Sequence, residues 1–376
     1  MCIVFATSTD TYSLIVASNR DEFLARPTTS AAWHGWDPRA LSAEPSERSR
    51  VLSGLDLTAG GTWFGISLSP GTASTNEQRR TLHFATLTNF TETIPPAPRP
   101  SRGNLARDFL DLAANASVTG KHEDALQGYL DKVEATKHDY AGFNLLIGEI
   151  TFPSTSASSA SSAAQPRTRL GYISNREHGD KRARVLNDLG TSGKVRGLSN
   201  ATLEVEEGEE EWPKVKSGAA AVEDAVRQAE EASNGAEEQL VEGLYEALST
   251  SHPSPITHRM HLRHTVLVRP LSFDPSAPLP PLPPPFPPAP SPVSSSSTSA
   301  ASSDPSVLPE SVTAGPRESA DPQSGTHWYG TRVQTLLLVE RATGRVVLRE
   351  RDAYVLDSEK GTPRWSGEER CFEVRL

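Results

Sequence analysis

The chain has 376 residues, a net charge of −10 and no block rich in lysine or arginine, so we expect no nucleic-acid partner. Its two cysteines, Cys2 and Cys371, are too few for a disulfide framework and match no zinc-site spacing, which fits a reducing compartment. The sequence has no basic leader and no apolar run of eighteen residues, so it predicts a cytoplasmic chain without a signal peptide or transmembrane segment.

The first predicted element is an antiparallel β-hairpin. Residues 2–6 and 14–17 are apolar and β-branched, and residues 8–12 between them are of turn-forming types. A turn centred on residues 10 and 11 would pair residues whose numbers sum to about 21. The hairpin therefore brings the second residue of the chain to the polar end of the second strand.

In this register Cys2 lies opposite Asn19, with Arg20 and Asp21 beside it. A neighbouring guanidinium favours the thiolate, which is the nucleophilic form of cysteine. Asp21 could in turn hold the Arg20 fork in place. The hairpin thus makes Cys2 a candidate nucleophile.

Removal of Met1 would leave Cys2 with the free amine of the chain. An α-amine titrates near ~8, so it could act as the general base for the thiol on the same residue. This is the arrangement of an N-terminal nucleophile. The alternative is that Met1 stays and Cys2 is a buried strand residue, because free cysteines are among the most buried residue types.

Strand and helix signals alternate along the rest of the chain. Strand composition predicts strands at 51–57, 62–67, 83–89, 143–150, 168–174, 264–269, 332–340, 345–350 and 371–375. Helical spacing of apolar residues predicts helices at 105–114, 123–133 and 218–248, the last broken at 234–235. Strands at both ends that enclose central helices predict an α+β fold in which sheets pack together with helices outside.

Three segments have the composition of inserts. They are a Ser/Ala-rich stretch at 153–165, an acidic loop at 204–211 and a Pro/Ser-rich stretch at 270–325, which we expect to be disordered. The run PLPPLPPPFPP favours polyproline II and could dock an SH3 or WW domain. The alternative for this run is a spacer.

The histidines of HRMHLRH are three residues apart. His258, His261 and His264 would stack on one face of a helix, where they could bind a metal or haem iron. The strand composition that follows disfavours a helix here, so solvent-facing or hydrogen-bonded histidines are the alternative. We predict no metal site.

Several blocks together resemble the NRDE family of transport and Golgi organisation proteins. The blocks are MCIVF, SNRDEFLARPT, LSGLDLTAGGTWFGIS, LTNF, SRGNL, YAGFNLLIGE, GLSNA, WPKV and YGTRVQTLLLVE. They run in order from Met1 to Leu376, interrupted only where the inserts fall. The match as a whole is specific, although no single block is.

The resemblance implies a fold and a site. The family resembles N-terminal-nucleophile hydrolases of four-layer αββα architecture, and it looks closest to the branch of penicillin V acylase and bile salt hydrolase. Carried over position by position, the site residues would be Cys2 as nucleophile, Arg20 and Asp21 as its charge partners, and Asn89, Asn200 and Arg332 in the polar pocket. The two asparagine amides would form an oxyanion hole.

The resemblance also implies roles in Golgi organisation, protein secretion, haem mobilisation and lipid homeostasis. We therefore carry two functions: an amide or acyl hydrolase that uses Cys2, or a non-catalytic carrier of haem or acyl lipid that uses the same cleft. Neither requires a cofactor, and haem would be cargo. Association with the Golgi or mitochondria would fit either function.

Overall fold

The computed structural model describes residues 2–69, 80–90, 99–115, 125–153, 165–177, 182–186, 194–204, 210–232, 235–256, 259–273 and 327–376. The strands of these residues are β1 (Ile3–Thr7), β2 (Tyr12–Phe23), β3 (Ala32–His34), β4 (Val51–Ser53), β5 (Phe64–Leu68), β6 (Arg80–Asn89), β7 (Phe143–Phe152), β8 (Arg167–Ser174), β9 (Arg184–Leu186), β10 (Arg196–Leu198), β11 (Leu271–Phe273), β12 (His327–Glu340), β13 (Arg345–Asp352), β14 (Tyr354–Leu356), β15 (Pro363–Trp365) and β16 (Glu369–Arg375). The helices are α1 (Gly103–Asn115), α2 (Ala125–Thr136), α3 (Pro213–Glu231) and α4 (Ala236–Leu248).

The strands form two large antiparallel sheets, which makes the protein α+β. The first sheet has the order β10-β1-β2-β12-β13-β16, with β11 also paired to β12, and the second runs β3 to β9 in sequence order. A short third sheet pairs β14 with β15. The pairing of β2 with β12 joins the two ends of the chain, so the N-terminal hairpin lies in the middle of the first sheet.

The core has three main parts, and each lies between two layers of the fold. One apolar cluster contains residues of both sheets, such as Val16 and Leu337 of the first and Phe84 and Tyr172 of the second. The other face of the first sheet packs on α3 and α4, and that of the second sheet packs on α1 and α2. Each helix buries one apolar stripe and leaves the other side to solvent.

The predicted break in the long helix is confirmed. Between α3 and α4, Gly235 has a φ of 67°, a left-handed conformation that glycine adopts without strain. Pro213 is in the first turn of α3, where its missing N–H is not needed.

The predicted hairpin register is wrong by one residue. Ile3, not Cys2, pairs with Asn19. The tight turn joins Thr9 N–H to the Tyr12 carbonyl, yet Thr7 already pairs with Ile15, so the second strand contains one more residue than the first over this interval. Such an extra residue shifts every later pair.

The strand predicted at 264–269 is also wrong. Residues Arg259–His264 form a 3-10 helix, and β11 begins only at Leu271. In between, Val268 N–H donates to Thr331 Oγ1, and the Val268 carbonyl accepts the Thr331 N–H, so Val268 hydrogen-bonds to a single residue of β12 without forming a strand. The apolar residues of the stretch are buried, which explains its strand-like composition.

The predicted inserts lie mostly outside the described residues. Of the Pro/Ser-rich stretch at 270–325, residues 270–273 are described and include β11. The Ser/Ala-rich stretch and the acidic loop are described only at their ends. Among the described residues, no helix has the length and apolar character needed to cross a membrane.

Candidate functional site

Cys2 lies immediately before β1 and is half-buried. Its Sγ is 3.9 Å from the carbonyl oxygen of Asp21, and its own carbonyl accepts a hydrogen bond of 2.8 Å from Ser199 Oγ. The Ile3–Asn19 pair extended by one residue places Cys2 opposite Arg20. The thiol therefore lies at the strand end where the predicted charge partners are.

The environment of the thiol favours its neutral form. Burial raises the pKa of Cys2, and the Asp21 charge raises it further, whereas the Arg20 charge lowers it and is the smallest of these influences. This corrects the expectation that Arg20 would produce a reactive thiolate. Desolvation of the thiol outweighs the guanidinium.

Asp21 is buried and held by β12. Thr331 Oγ1 accepts the N–H of Val268, so its own hydrogen is available for Asp21 Oδ1 at 2.6 Å. Tyr329 donates to the Asp21 carbonyl oxygen at 3.2 Å. Burial raises the pKa of Asp21, and the Lys214 charge and the Thr331 hydrogen bond counteract that rise.

Lys214 is a site residue that the sequence analysis missed. It is the second residue of α3 and its side chain is fully buried, with Nζ 5.7 Å from the centroid of the Trp212 ring. Burial lowers the pKa of Lys214 to about 8, and the charges of Asp21 and Cys2 oppose that change. The WPKV block contained a signal for this buried lysine. It places Lys214 directly after the proline that begins α3, next to the apolar residues that the helix buries.

Arg20 does not contact Asp21 in the predicted way. Consecutive strand residues point to opposite faces, so the two side chains diverge. The guanidinium carbon of Arg20 lies 3.8 Å from the centroid of the Trp63 ring, and Nη2 lies 3.9 Å from Glu22. Arg20 is 5% exposed, and its burial lowers its pKa.

The side chain of Asn200 contacts the backbone of Asn89, and their role as an oxyanion hole stays a prediction. The Asn200 amide donates to the Asn89 backbone carbonyl, and Asn200 Oδ1 accepts from Ser199 Oγ at 3.1 Å. Ser199 Oγ also lies 2.8 Å from the Cys2 carbonyl oxygen, and its single hydrogen can be donated to only one of these two acceptors at a time. The Asn200 amide is thus engaged with backbone, whereas Asn89 Oδ1 is buried without a hydrogen-bond partner among the described residues.

Arg332 lies near the site, but its guanidinium binds the segment after β2. Nη1 donates to the Arg26 carbonyl at 2.6 Å, and Nη2 donates to Thr28 Oγ1 at 3.1 Å. Burial lowers the pKa of Arg332 to about 10, and the Arg20 charge lowers it as well. In this arrangement Arg332 stabilises the loop beside the site.

The histidine cluster forms no metal centre in the described residues. His261 and His264 lie in the 3-10 helix, His264 packs edge-on against His252 at 5.8 Å, and His258 lies outside the described residues. Nowhere in the part of the chain that the structure describes do three or more His, Cys, Asp or Glu side chains gather as metal ligands would.

A groove of about 420 Å³ lies elsewhere, between α4 and β13. None of the predicted site residues lines it. Most of its lining residues are charged or polar, and they include Glu238, Glu242, Glu246, Tyr245, Arg349 and Arg351. This groove is therefore neither the cleft at Cys2 nor the mostly apolar cavity expected of a haem or lipid carrier.

The family model described as "Transport and Golgi organisation 2" matches residues 1–355. The chain belongs to the transport and Golgi organisation 2 family. This confirms the family predicted from the sequence blocks. Every residue of the candidate site, from Cys2 to Arg332, lies within the matched part of the chain.

Individual members of the family are moderately similar to the chain. The Bos taurus transport and Golgi organization protein 2 homolog is 32% identical over 54% of this chain and 58% of its own length. The Mus musculus homolog is 32% identical over 61% and 66%, and the Drosophila melanogaster protein is 29% identical over 46% and 51%. The chain thus spans about half to two thirds of the length of these relatives.

Proposed function

We propose that the chain is a cysteine N-terminal-nucleophile hydrolase that cleaves amide or acyl bonds with Cys2. The supporting observation is the set of three buried ionisable groups around one thiol: Arg20, Asp21 and Lys214. Buried charges reduce stability unless they are compensated, and their concentration beside a nucleophile is typical of functional sites.

The layering of the core supports the αββα architecture within this proposal. A helix pair covers the outer face of each large sheet, and the inner faces share one apolar cluster. Cys2 lies immediately before β1, an internal strand of the first sheet between β10 and β2. A nucleophile there would be at the edge of the space between the sheets.

The reaction would begin with loss of Met1. The new α-amine of Cys2 would take the thiol proton, and the thiolate would attack the acyl carbon to give a tetrahedral intermediate. The Asn89 side-chain amide is the better oxyanion donor, because the Asn200 amide is already engaged. The protonated amine would return the proton to the leaving nitrogen or oxygen, and water would then hydrolyse the thioester and release the acid.

The biological setting in this proposal comes from the family. The name of the family supports a role in Golgi organisation and transport, and we place the hydrolase there, on the cytoplasmic side. Carriage of haem or acyl lipid stays an expectation that the family resemblance implies. The polar lining of the groove at α4 gives it no support.

Two measurements test the proposal. Intact-mass analysis of the chain from native cells should show loss of Met1, and 2-cyanobenzothiazole, which condenses with N-terminal cysteine, should label Cys2 and leave Cys371 unlabelled. Cys2→Ala should abolish turnover of a panel of acyl amides and thioesters, because the reaction path needs the sulfur. A mass that retains Met1, or turnover that survives in Cys2→Ala, would reject the mechanism.

A further inference from the structure

Arg20 differs from the arginines around it in how its guanidinium is satisfied. Its Nη1 is buried without a hydrogen-bond partner among the described residues, and its nearest acid, Glu22, is 3.9 Å away. By contrast, Arg26 binds Asp56 through Nη2 at 2.7 Å and through Nε at 3.1 Å. Arg332 is bound by the Arg26 carbonyl and Thr28.

A guanidinium buried in this way is unfavourable by itself. Arginine has five N–H donors in a planar fork and no means of losing its charge at ordinary pH. Leaving a donor of a charged group without an acceptor is more unfavourable than leaving a neutral one. Within the part of the chain that the structure describes, the fold therefore keeps a buried cation whose Nη1 has no protein acceptor.

Trp63 fixes the plane of this cation. The guanidinium stacks on the indole, which covers one face of the fork and leaves its edges to make hydrogen bonds. The indole is itself held in place, because it lies so close to Gly54 that a Cβ there would be 2.7 Å from the ring. The Trp63 carbonyl also accepts the N–H of Leu87 at 2.9 Å.

The fork is on the same side of the sheet as the thiol. Residues directly opposite each other on neighbouring strands project to one face, and Cys2 lies opposite Arg20 when the observed register is extended by one pair. Asn89, whose backbone carbonyl accepts from the Asn200 amide, has a side-chain Oδ1 that no described residue hydrogen-bonds. The Arg20 guanidinium is a donor and Asn89 Oδ1 is an acceptor. Together they are complementary to a ligand that carries both an oxyanion and an N–H.

We propose that Arg20, stacked on Trp63, is the subsite for a carboxylate of the ligand that binds beside Cys2. A carboxylate is planar and matches the fork with two parallel hydrogen bonds. The substrate class is then an acyl amide with a carboxylate close to the amide, as in an N-acyl amino acid, whose N–H would meet Asn89 Oδ1. The assignment as a substrate rests on the proposed hydrolase function, whereas the binding of the carboxylate does not.

The test compares two probes that differ only in charge, N-octanoylglycine and N-octanoylglycinamide. Their affinities for the full chain are measured by calorimetry at low salt, in a Cys2→Ala background that removes the nucleophile and so prevents turnover. We expect the carboxylate to bind at least about tenfold more tightly than the amide. Arg20→Gln should abolish this preference, and Arg20→Lys should keep part of it, because lysine provides charge without the fork.

Two further variants complete the design. Gly54→Ala should weaken the preference, because the new methyl displaces the indole that supports Arg20. Arg227→Gln removes an equal charge from the exposed face of α3 and should leave the preference unchanged. Equal affinity of the wild-type site for both probes, or no binding of either at millimolar concentration, would overturn the proposal even if Arg20→Gln fails to fold.

The outcomes also separate this inference from the proposed function. A carboxylate preference that depends on Arg20, without any turnover that depends on Cys2, would support the subsite and reject the hydrolase. Turnover by Cys2 without a carboxylate preference would reject the subsite alone.

Discussion

Thr331 Oγ1 donates a hydrogen bond of 2.6 Å to Asp21 Oδ1, and this contact fixes the carboxylate of the candidate site. The same oxygen accepts the N–H of Val268, so one hydroxyl joins β12, β2 and the irregular segment before β11. Residues 21 and 331 are far apart in sequence and meet because β2 pairs with β12.

Thr331→Val should destabilise the fold by about 1–3 kcal/mol, because it removes one hydrogen bond from a buried carboxylate and one from a buried N–H. Urea unfolding measures the change. Thr343→Val is the matched control, since Thr343 is exposed and should change stability by no more than about 0.5 kcal/mol. Equal stability of Thr331→Val and wild type would show that this hydroxyl does not hold Asp21.

The helical glycines Gly218 and Gly128 predict opposite results for one substitution. A Cβ on Gly218 of α3 would overlap the Phe5 ring, so Gly218→Ala should destabilise the fold by about 1–3 kcal/mol. A Cβ on Gly128 of α2 would meet nothing within 4 Å, so Gly128→Ala should stabilise it by about 0.5–1 kcal/mol. Thermal or urea unfolding of the two variants checks the pair. A gain of stability in Gly218→Ala would contradict the packing of α3 on β1.

Glu350 should make stability fall as the pH rises. Burial raises its pKa from 4.5 to about 7, although the Ala31 N–H and Arg370 oppose the change. Between these two pH values the folded chain binds more protons than the unfolded chain, so the free energy of unfolding decreases with rising pH. Glu350→Gln should remove that dependence. The free energy of unfolding of the variant minus that of wild type should therefore increase by up to about 3 kcal/mol from pH 4.5 to 7. A constant difference across this range would contradict the pKa assigned to Glu350.

Lys214 should have the opposite effect at higher pH, where the free energy of unfolding should increase as the pH rises. Its pKa is lowered from 10.5 to about 8, so between these values the unfolded chain binds more protons and wild-type stability should rise with pH. Urea unfolding at pH 7.5, 9 and 10.5 should therefore show wild type gaining stability relative to Lys214→Met. Lys216→Met controls for loss of a lysine from the same helix, because Lys216 is exposed. A difference from Lys214→Met that does not change with pH would mean that Lys214 titrates normally.

The thiol of Cys2 should react slowly in the full chain that starts at Met1. Because burial raises its pKa, iodoacetamide alkylation followed by mass spectrometry in a Cys371→Ser background should show a higher titration midpoint in the folded chain than in urea. The unfolded chain is the internal control for intrinsic reactivity. A lower midpoint in the folded chain would restore the thiolate that Arg20 was expected to produce.

Local pattern was sufficient for most elements and for the family. Runs of apolar and β-branched residues predicted β1, β2, β7 and β8, helical spacing predicted α1 and α2, and glycine predicted the break before α4. These features depend on side chains that are close in sequence, so they can be read without a partner strand. The blocks around Cys2, Asn89, Asn200 and Arg332 identified the family for the same reason.

Only the tertiary structure decided how the site residues meet. One additional residue near the hairpin turn moved Cys2 from Asn19 to Arg20, and strand alternation then separated Arg20 from Asp21. The contacts of Asp21 with Thr331 and Lys214, and of Arg20 with Trp63, join segments that are distant in sequence. Burial also reversed the expected pKa of the Cys2 thiol, because desolvation depends on everything packed around a group and not on its sequence neighbours.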